Sequence, residues 1–172
     1  MDPRFGELKA SGALALNLNR VPLLTVDGVA IGGSSKAIER YLATKLGLMG
    51  DSPEAGCAID SFCEHVRDMK DSYAAAKKVG PEQREEWIIS ELPIWMAKME
   101  AFVKAAHVLD HCTGFTLADV IAWHTREEVF DHQEAVHAAF ATAAPIIDAS
   151  VELFVAHPAI AAYLAARPIT PF

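Results

Sequence analysis

Two adjacent serines, Ser34 and Ser35, are the side chains of this sequence best placed to bind a small anion. They follow Gly32-Gly33 and precede the amphipathic segment 36–42, a pattern that predicts a helix capped by one of the two serines. The free amides at the amino end of a helix attract a carboxylate or phosphate. Pro22, immediately before an apolar strand, brings further backbone groups toward the same cleft. The pattern predicts a small-anion site, and a serine that serves only as a helix cap fits it equally well.

Other residue types that often carry chemistry lack a supporting spacing. The three cysteines, Cys57, Cys63 and Cys112, form no CxxC motif, and their odd number favours reduced thiols. Of the seven histidines, His107 and His111 have an i, i+4 spacing, but no carboxylate completes a known ligand pattern. The sequence therefore predicts no metal site.

The elements that would position the serines are a β-hairpin and the helix after it. Asp27-Gly28 separates two short apolar runs and predicts a tight turn, because glycine accepts the positive φ that such a turn requires. Residues 45–53 gather glycine, aspartate, serine and proline and indicate a linker. We therefore expect three parts: a hairpin domain over 1–46, a linker over 47–53 and a helical domain over 54–172.

The segment before the hairpin is harder to assign. Residues 4–10 predict a helical turn that Ser11-Gly12 ends. Leu14, Leu16 and Leu18 then alternate with smaller or polar residues, which is typical of a strand. An irregular approach to the hairpin is the alternative, and the sequence does not separate the two.

Everything after the linker has a helical pattern. Apolar residues at steps of three and four predict one helix over 54–79, ended by Gly80-Pro81, and a second over 82–108, kinked at Pro93. Thr116 and Asp119 predict a capping box for a helix that reaches about residue 130. Two further short helices should begin at Pro145 and Pro158, where a proline lacks no needed amide. The predicted core residues of the two long helices are Ile59, Phe62, Cys63, Val66, Met69, Tyr73, Trp87, Ile88, Leu92, Trp95, Met99, Phe102 and Val103.

Three motifs together resemble the glutathione S-transferase family, closest to its sigma type. They are VPLLTVDGVAIGGSSKAIERYL at 21–42, FTLAD at 115–119 and PAIAAYL at 158–164, and the resemblance covers nearly the whole chain. It implies a mainly α fold, with a truncated thioredoxin-like β-hairpin and helix followed by an all-helical domain. The family's leading strand, helix and strand, which carry the Tyr, Ser or Cys that activates the glutathione thiol, have no counterpart here. We therefore expect no catalytic residue of that kind in this chain.

The same resemblance implies which residues bind glutathione. Val21-Pro22 matches the family's cis-proline step, whose backbone pairs with the cysteinyl part of glutathione, and Ser35 matches the serine that binds the γ-glutamyl carboxylate. Arg20 stands where relatives often have Gln, and an arginine there pairs with a ligand carboxylate or lies solvated on the surface. Ser34 departs from the usual Gln or Glu.

The loop before the helix and one residue of the long helix also bear on the glutathione site. The loop 31–35 is one residue longer than usual, and its length decides where the serine hydroxyls lie. Glu64 stands where dimeric relatives often carry an aspartate that reaches the partner's bound glutathione, although a charged residue on a helix is more often solvated.

Two functions from different classes follow. The first is conjugation or isomerisation of small hydrophobic electrophiles with glutathione in a homodimer, with catalysis impaired because Tyr41, Tyr73 and Tyr163 are all expected away from the thiol and the first and last in the core. The second is a non-catalytic structural or accessory subunit of a larger assembly. In that case the edge of the strand at 23–26, which the family's first strand would cover, is covered by residues 11–19 or by another chain. A longer natural protein is the third way to cover it.

Composition argues against nucleic-acid-binding and membrane-spanning proteins. A formal net charge of −8 argues against nucleic-acid binding, and no run of about 18 apolar residues predicts a membrane span. The amino-terminal residues do not have the pattern of a secretory signal, so the cytoplasm is the expected location, with an organelle as an alternative.

Overall fold

The computed structural model describes residues 3–109 and 114–168, and these residues are mainly helical. The chain divides into two compact units, Met1–Leu48 and Met49–Phe172, which we call the hairpin unit and the helical unit. The division lies between residues 48 and 49. The assignment of 1–46, 47–53 and 54–172 as domain, linker and domain stays a prediction.

The hairpin unit contains the predicted β-hairpin. Asp27 and Gly28 both adopt positive φ, 50° and 81°, so that the two-residue turn matches the twist of the strands it joins. The strands form an antiparallel two-stranded sheet, with Val26 opposite Val29 and Leu23 opposite Gly33. The elements of this unit are α1 (Pro3–Ala10), a 3₁₀ turn (Ala15–Asn17), β1 (Leu23–Val26), β2 (Val29–Gly33) and α2 (Ser35–Lys45).

The extra residue predicted for the loop 31–35 lies inside β2 instead. Leu24 is opposite Gly32 and Thr25 is opposite Ala30, so Ile31 has no opposite residue and forms a β-bulge. Gly32 and Gly33 continue the strand, and α2 begins at Ser35. The prediction of a five-residue loop was wrong, because a bulge accommodates one residue without ending the ladder.

The segment before the hairpin forms no strand. Leu14 is 3% exposed, whereas Leu16 and Leu18 are 61% and 77% exposed, so the alternation of leucines does not mark a buried face. The 3₁₀ turn begins at Ala15, and the irregular alternative is the one the structure contains. Residues 11–19 therefore form no strand beside β1.

The helical unit begins with the predicted long helix. The helix α3 (Pro53–Val79) ends at the residue before Gly80, and all six core residues predicted for this segment are buried. The predicted helix over 82–108 is divided into two by a π turn, and Pro93 follows the turn as an early residue of the next helix. The kink at Pro93 stays a prediction. The elements are α3 (Pro53–Val79), α4 (Pro81–Glu86), a π turn (Trp87–Glu91), α5 (Leu92–Ala106), α6 (Leu117–His124), a second π turn (Thr125–Val129), α7 (Gln133–Ala143), α8 (Pro145–Ala156) and α9 (Pro158–Ala166).

The predicted capping box starts α6. The Thr116 hydroxyl accepts from the Ala118 amide at 3.2 Å, and the Asp119 carboxylate accepts from the Thr116 amide at 2.7 Å. Asp119 has no exposed surface, and its second oxygen accepts from the Ser150 hydroxyl at 2.6 Å. A fully buried carboxylate with these partners joins the start of α6 to α8.

The start of α8 is capped by a residue that sequence reasoning did not select. Neither Ala144 nor Pro145 offers a capping side chain. The carboxylate of Glu100, on α5, accepts from the Ile146 amide at 3.1 and 3.2 Å and from the Ile147 amide at 3.3 Å. Glu100 is 4% exposed, so these bonds compensate the burial of its charge.

Several side-chain predictions for the core were wrong. Tyr41 and Tyr163 are 36% and 62% exposed, and Trp95 and Phe102 are only half-buried. Helix α7 had not been predicted. Residues His111 and Cys112 and the tail 169–172 lie outside the described residues.

Candidate ligand site

The segment Arg20–Pro22 enters the hairpin with its side chains in solvent. The peptide bond between Val21 and Pro22 is cis, and the Val21 side chain is 60% exposed. Arg20 is exposed and makes no ion pair within residues 3–109 and 114–168. Its guanidinium is therefore available to a carboxylate.

The start of α2 lacks a side-chain cap. Ser34 precedes the helix with φ 71° and ψ 123°, and its hydroxyl makes no capping hydrogen bond. The Ser34 carbonyl accepts from the Ile38 amide at 3.1 Å, which is the first helical bond. Both serines are exposed. The prediction that a serine side chain caps this helix was wrong for Ser34, and the amides of the first turn remain open to an external acceptor.

Asn17 joins the two parts of this site. Its side-chain amide donates to the Pro22 carbonyl at 2.7 Å and to the Arg20 carbonyl at 3.1 Å. The residue is 7% exposed and lies against the end of β2, since a Cβ added at Gly33 would come within 2.2 Å of the Asn17 Cβ and Cγ. One buried amide therefore fixes the proline segment beside the residue that precedes Ser34.

Sequence reasoning missed Asn17 although a signal was present. An asparagine among alternating leucines is a polar group in an apolar segment, and a buried polar group requires partners. The glycine pair before Ser34 was the second signal, because glycine marks a close approach as well as a turn. Neither signal identifies the other residue, since Gly33 lies 16 positions after Asn17 in the chain.

A shallow groove adjoins the site on the face of the hairpin that α2 covers. Its volume is about 110 Å³, and we call it the α2 groove. Tyr41 contributes the aromatic surface of the groove, with the Lys45 ammonium 5.8 Å from its ring centroid. The residues that line it are Leu24, Ile31, Gly32, Gly33, Ala37, Ile38 and Tyr41.

Glu64 belongs to the helical unit. Its carboxylate pairs with Arg67 at 2.5 Å, and its side chain is 31% exposed. Its contact with a ligand of the hairpin unit stays a prediction.

The helical unit contains a polar cluster around Asp131. Its carboxylate accepts from the Tyr73 hydroxyl at 2.7 Å and pairs with Arg84 at 3.1 Å and Lys77 at 3.9 Å. The hydrogen bond from Tyr73 is the main cause that lowers the pKa of Asp131, and the two cations add to it against the effect of burial. Burial is the main cause that raises the pKa of Tyr73. These groups join α3 and α4 to the chain after the second π turn.

Residues 3–109 and 114–168 contain no group of three or more His, Cys, Asp or Glu side chains placed to hold a metal ion. Within the same residues no single helix is long and apolar enough to cross a membrane. The pair α7 and α8 reaches that length and composition only jointly, across a bend of 117°.

The proteins of similar sequence are glutathione S-transferases. No family model matches the chain. Glutathione S-transferase alpha-4 of Rattus norvegicus is 26% identical over 121 residues, which are 70% of this chain and 52% of that protein. Glutathione S-transferase P 10 of Caenorhabditis elegans is 29% identical over 106 residues, 62% of this chain and 48% of that protein. The chain spans about half the length of the curated relatives it matches.

Solved structures show a similar fold over nearly all of the chain. A Pi-class glutathione S-transferase of Onchocerca volvulus has a TM-score of 0.78 at 23% identity, over 96% of this chain and 77% of that one. A monomeric glutathione S-transferase of the hookworm Necator americanus has 0.73 at 22%, over 97% and 83%. Prostaglandin synthase D of Nilaparvata lugens has 0.68 at 21%, over 98% and 83%. These likenesses agree with the mainly helical, thioredoxin-like fold predicted from the sequence.

Proposed function

We propose that this chain, which resembles glutathione S-transferases in sequence and in fold, is a member of that family and that its hairpin unit binds glutathione between the segment Arg20–Pro22 and the start of α2. The open amides of the first turn of α2, with the hydroxyls of Ser34 and Ser35, accept the γ-glutamyl carboxylate. The backbone of Val21 pairs with the cysteinyl part, and the Arg20 guanidinium pairs with the second carboxylate.

The observation that carries this proposal is the arrangement held by Asn17. Glutathione carries two carboxylates on a peptide-like backbone. Binding it requires backbone donors for the peptide part and a cation or a helix start for each carboxylate, all in fixed positions. Asn17 fixes Arg20 and Pro22 beside Gly33, and Ser34 and Ser35 follow directly. Because no side chain caps the start of α2, the amides of its first turn are open to a carboxylate of the ligand.

We also propose that turnover is slow. Thiol activation requires a hydroxyl or thiol near the glutathione sulfur, which lowers the thiol pKa by donating to the thiolate. Tyr41, the tyrosine of the described hairpin unit, lies on α2 and lines the α2 groove. The reaction class is conjugation or isomerisation of small hydrophobic electrophiles, at rates well below those of an enzyme with such a hydroxyl.

Binding and turnover are tested separately. We expect glutathione to raise the melting temperature of the purified chain in a saturable way, and calorimetry to give a single site. Turnover with a chloronitrobenzene acceptor should exceed the uncatalysed rate only slightly. Saturable turnover at ordinary enzyme rates would contradict the proposed impairment, and absence of glutathione binding would contradict the proposal as a whole.

A variant of Ser35 tests whether this serine binds the γ-glutamyl carboxylate of glutathione. Ser35→Ala should weaken glutathione binding about tenfold, the cost of one hydrogen bond to a charged group. Ser61→Ala is the matched control, because Ser61 lies on α3 and its hydroxyl bonds its own helix at the Cys57 carbonyl. Equal affinity in the Ser35 and Ser61 variants would remove Ser35 from the site.

The cross-subunit role of Glu64 needs its own pair of variants. Glu64→Gln should weaken glutathione binding in the dimer if the carboxylate reaches the ligand amine. Asp68, which is exposed and lies one helical turn further along α3, is the comparison. An effect of Asp68→Asn alone would place that contact one turn further along the helix.

A non-catalytic structural or accessory role is the second candidate, favoured by the surface of the hairpin unit. Among its described residues only Leu14, Asn17 and Ala43 are buried, while Leu16, Leu18, Val29 and Leu46 are each more than 60% exposed. Such apolar exposure is typical of a surface that another chain covers. Association without glutathione binding would favour this role. A homodimer and a cytoplasmic location are parts of the proposal that mass measurement and fractionation test.

A further inference from the structure

The turn of the β-hairpin joins an aspartate to a glycine, and both residues are exposed. Asp27 and Gly28 adopt positive φ, 50° and 81°, and a Cβ added at Gly28 would meet no atom within 4 Å. Asp27 makes no ion pair within residues 3–109 and 114–168. In the whole sequence, Asp27 is the only aspartate that a glycine follows. Its carboxyl group is therefore free to react with the peptide bond after it, where no side chain obstructs the approach.

A carboxyl group in this position closes a ring with the backbone. The Gly28 nitrogen attacks the Asp27 Cγ, a C–N bond forms, and the carboxyl hydroxyl and the amide proton leave as one water molecule. The product is a five-membered cyclic imide. Water then adds to one of the two imide carbonyl carbons, and the bond from that carbon to the nitrogen breaks. Attack at Cγ restores aspartate, whereas attack at the main-chain carbonyl carbon produces isoaspartate, in which the chain continues through Cβ and Cγ.

The folded turn and the ring have different backbone shapes, so the reaction requires the turn to open. Val26 lies opposite Val29, and this pair closes the two-residue turn. Among the described residues of the hairpin unit, only Leu14, Asn17 and Ala43 are buried. Few buried side chains therefore oppose local opening, and the open turn is reached at a low cost in free energy.

We propose that Asp27-Gly28 is a modification site, at which this protein forms isoaspartate without an enzyme or a cofactor. The reaction takes up the water that it releases and needs no other reagent. Isoaspartate adds one carbon atom to the main chain of a two-residue turn, and turn length sets the register of a hairpin. The pairing of Val26 with Val29 should therefore be lost in the modified chain. The inference is independent of glutathione binding.

The location at the tip of the hairpin makes the site independent of what lies beside the sheet. A further strand next to β1 or β2 would run along the edge of the ladder, and the turn residues extend beyond its last pair, Val26 and Val29. Asp51 is the internal control, because it is also exposed and lies in the loop before α3. It precedes Ser52, whose Cβ obstructs the approach to the nitrogen.

Ageing of the purified chain in mildly acidic buffer, followed by peptide mass spectrometry, tests the site. Isoaspartate has the mass of aspartate, so the peptide that contains residue 27 should separate into two chromatographic peaks of equal mass. A third peak, lighter by one water, is the imide. Isoaspartate should accumulate at least about tenfold faster at residue 27 than at Asp51, because Gly28 leaves its nitrogen unobstructed. Equal rates at the two positions would overturn the proposal.

The same measurement in urea tests whether the folded hairpin opens readily. The unfolded chain gives the rate of isoaspartate formation at an unprotected Asp27-Gly28 bond. The native rate should lie within about a thousandfold of that rate, since the hairpin unit has few buried side chains. A slower native rate would overturn the proposal, because a stable hairpin would then protect the turn.

A variant of Asp27 links the modification to its effect on the hairpin. Asp27→Glu should form no comparable product, because its longer side chain would need a six-membered ring, and its helical circular dichroism should be unchanged. After ageing, amides of β2 in the isoaspartate fraction of the wild type should exchange at least about tenfold faster than in fresh protein, whereas Asp27→Glu keeps its fresh rates. Unchanged exchange of β2 in a fraction that contains isoaspartate would overturn the proposed loss of pairing.

Discussion

Single polar side chains join separate segments in both units. The buried amide of Asn17 donates to two carbonyls of the proline segment, and the half-exposed carboxylate of Asp131 binds a tyrosine hydroxyl and two cations. Removing such a group leaves its partners without a substitute, at a cost that is larger where the group is buried. Their effects should be measurable in isolation.

Gly33→Ala should weaken the hairpin unit and its ligand site together. The new Cβ would lie 2.2 Å from the Asn17 Cβ, a distance that forces the two residues apart. We expect a loss of about 1–3 kcal/mol in the unfolding free energy of the hairpin unit. Chemical denaturation followed by a hairpin-specific amide signal measures it.

The control for this variant is Gly28→Ala in the turn, where no atom lies within 4 Å of the added Cβ and only the positive φ of 81° opposes the change. Asn17→Gly together with Gly33→Ala should recover part of the Gly33→Ala loss, since the clash is removed. Simple additivity of the two losses would contradict the packing explanation.

Asp131→Asn should change how stability depends on acid. The folded carboxyl has a lowered pKa, so its contribution is present above the unfolded-state pKa of about 3.9 and is lost as the pH falls through the folded value. The variant should therefore lose stability at neutral pH and show a shallower acid dependence below about pH 4. Because the side chain is 44% exposed, the neutral-pH loss should be only about 1 kcal/mol.

Urea unfolding at a series of pH values measures the effect of Asp131→Asn. Tyr73→Phe, which removes the main cause of the lowered pKa, should reproduce part of it. An acid dependence that is identical in the wild type and both variants would exclude this cluster as its source.

At the scale of elements, some helix bounds follow from the neighbouring sequence, and others depend on residues far away along the chain. The helix α3 follows from its own apolar periodicity and from Gly80, so its bounds and core were predictable. The division of the next helix was not, because the periodicity of Trp87, Ile88 and Leu92 continues through the π turn. The bulge at Ile31 was also hidden, since the same sequence fits a longer loop.

Glu100→Ala should destabilise the helical unit through α8. It removes the acceptor of two amides at a helix start that has no cap of its own. We expect a loss of about 2–4 kcal/mol, because the amides are left without an acceptor in a buried setting. Thermal and urea unfolding of the helical unit measure this loss.

Lys104→Ala is the matched control for Glu100. Lys104 pairs with Glu100 at 3.4 Å but is 58% exposed, so its removal should cost less than about 0.5 kcal/mol. Equal losses in the two variants would indicate that the ion pair, and not the helix cap, stabilises α8.

At the scale of the whole molecule, apolar burial is unevenly distributed. The large fully buried side chains, among them Phe62, Met69, Val136 and Phe140, all belong to the helical unit. Periodicity located this core because the helical unit buries continuous helix faces. It could not locate the hairpin site, which depends on one contact between Asn17 and Gly33. The exposure of Tyr41 and Tyr163 could not be predicted from the sequence either, because it depends on which residues pack nearby in space.

Hydrogen exchange should separate the two units. Amides of β2 and α2 should exchange orders of magnitude faster than those of α3, α5 and α8, because few buried side chains oppose local opening of the hairpin unit. Mass spectrometry of peptic fragments measures this at low concentration. Equal protection in the two units would show that the hairpin unit is stabilised by contacts other than its own.

The cap that Glu100 provides also sets an order of events during synthesis. The amino end of α8 lies 46 residues after Glu100 in the chain. A nascent chain therefore exposes α5 well before α8 exists, and the first amides of α8 bond water until they meet Glu100 on α5. A circular permutant opened between α5 and α8 would reverse that order, so that α8 emerges from the ribosome with its first amides bonded to water until synthesis ends.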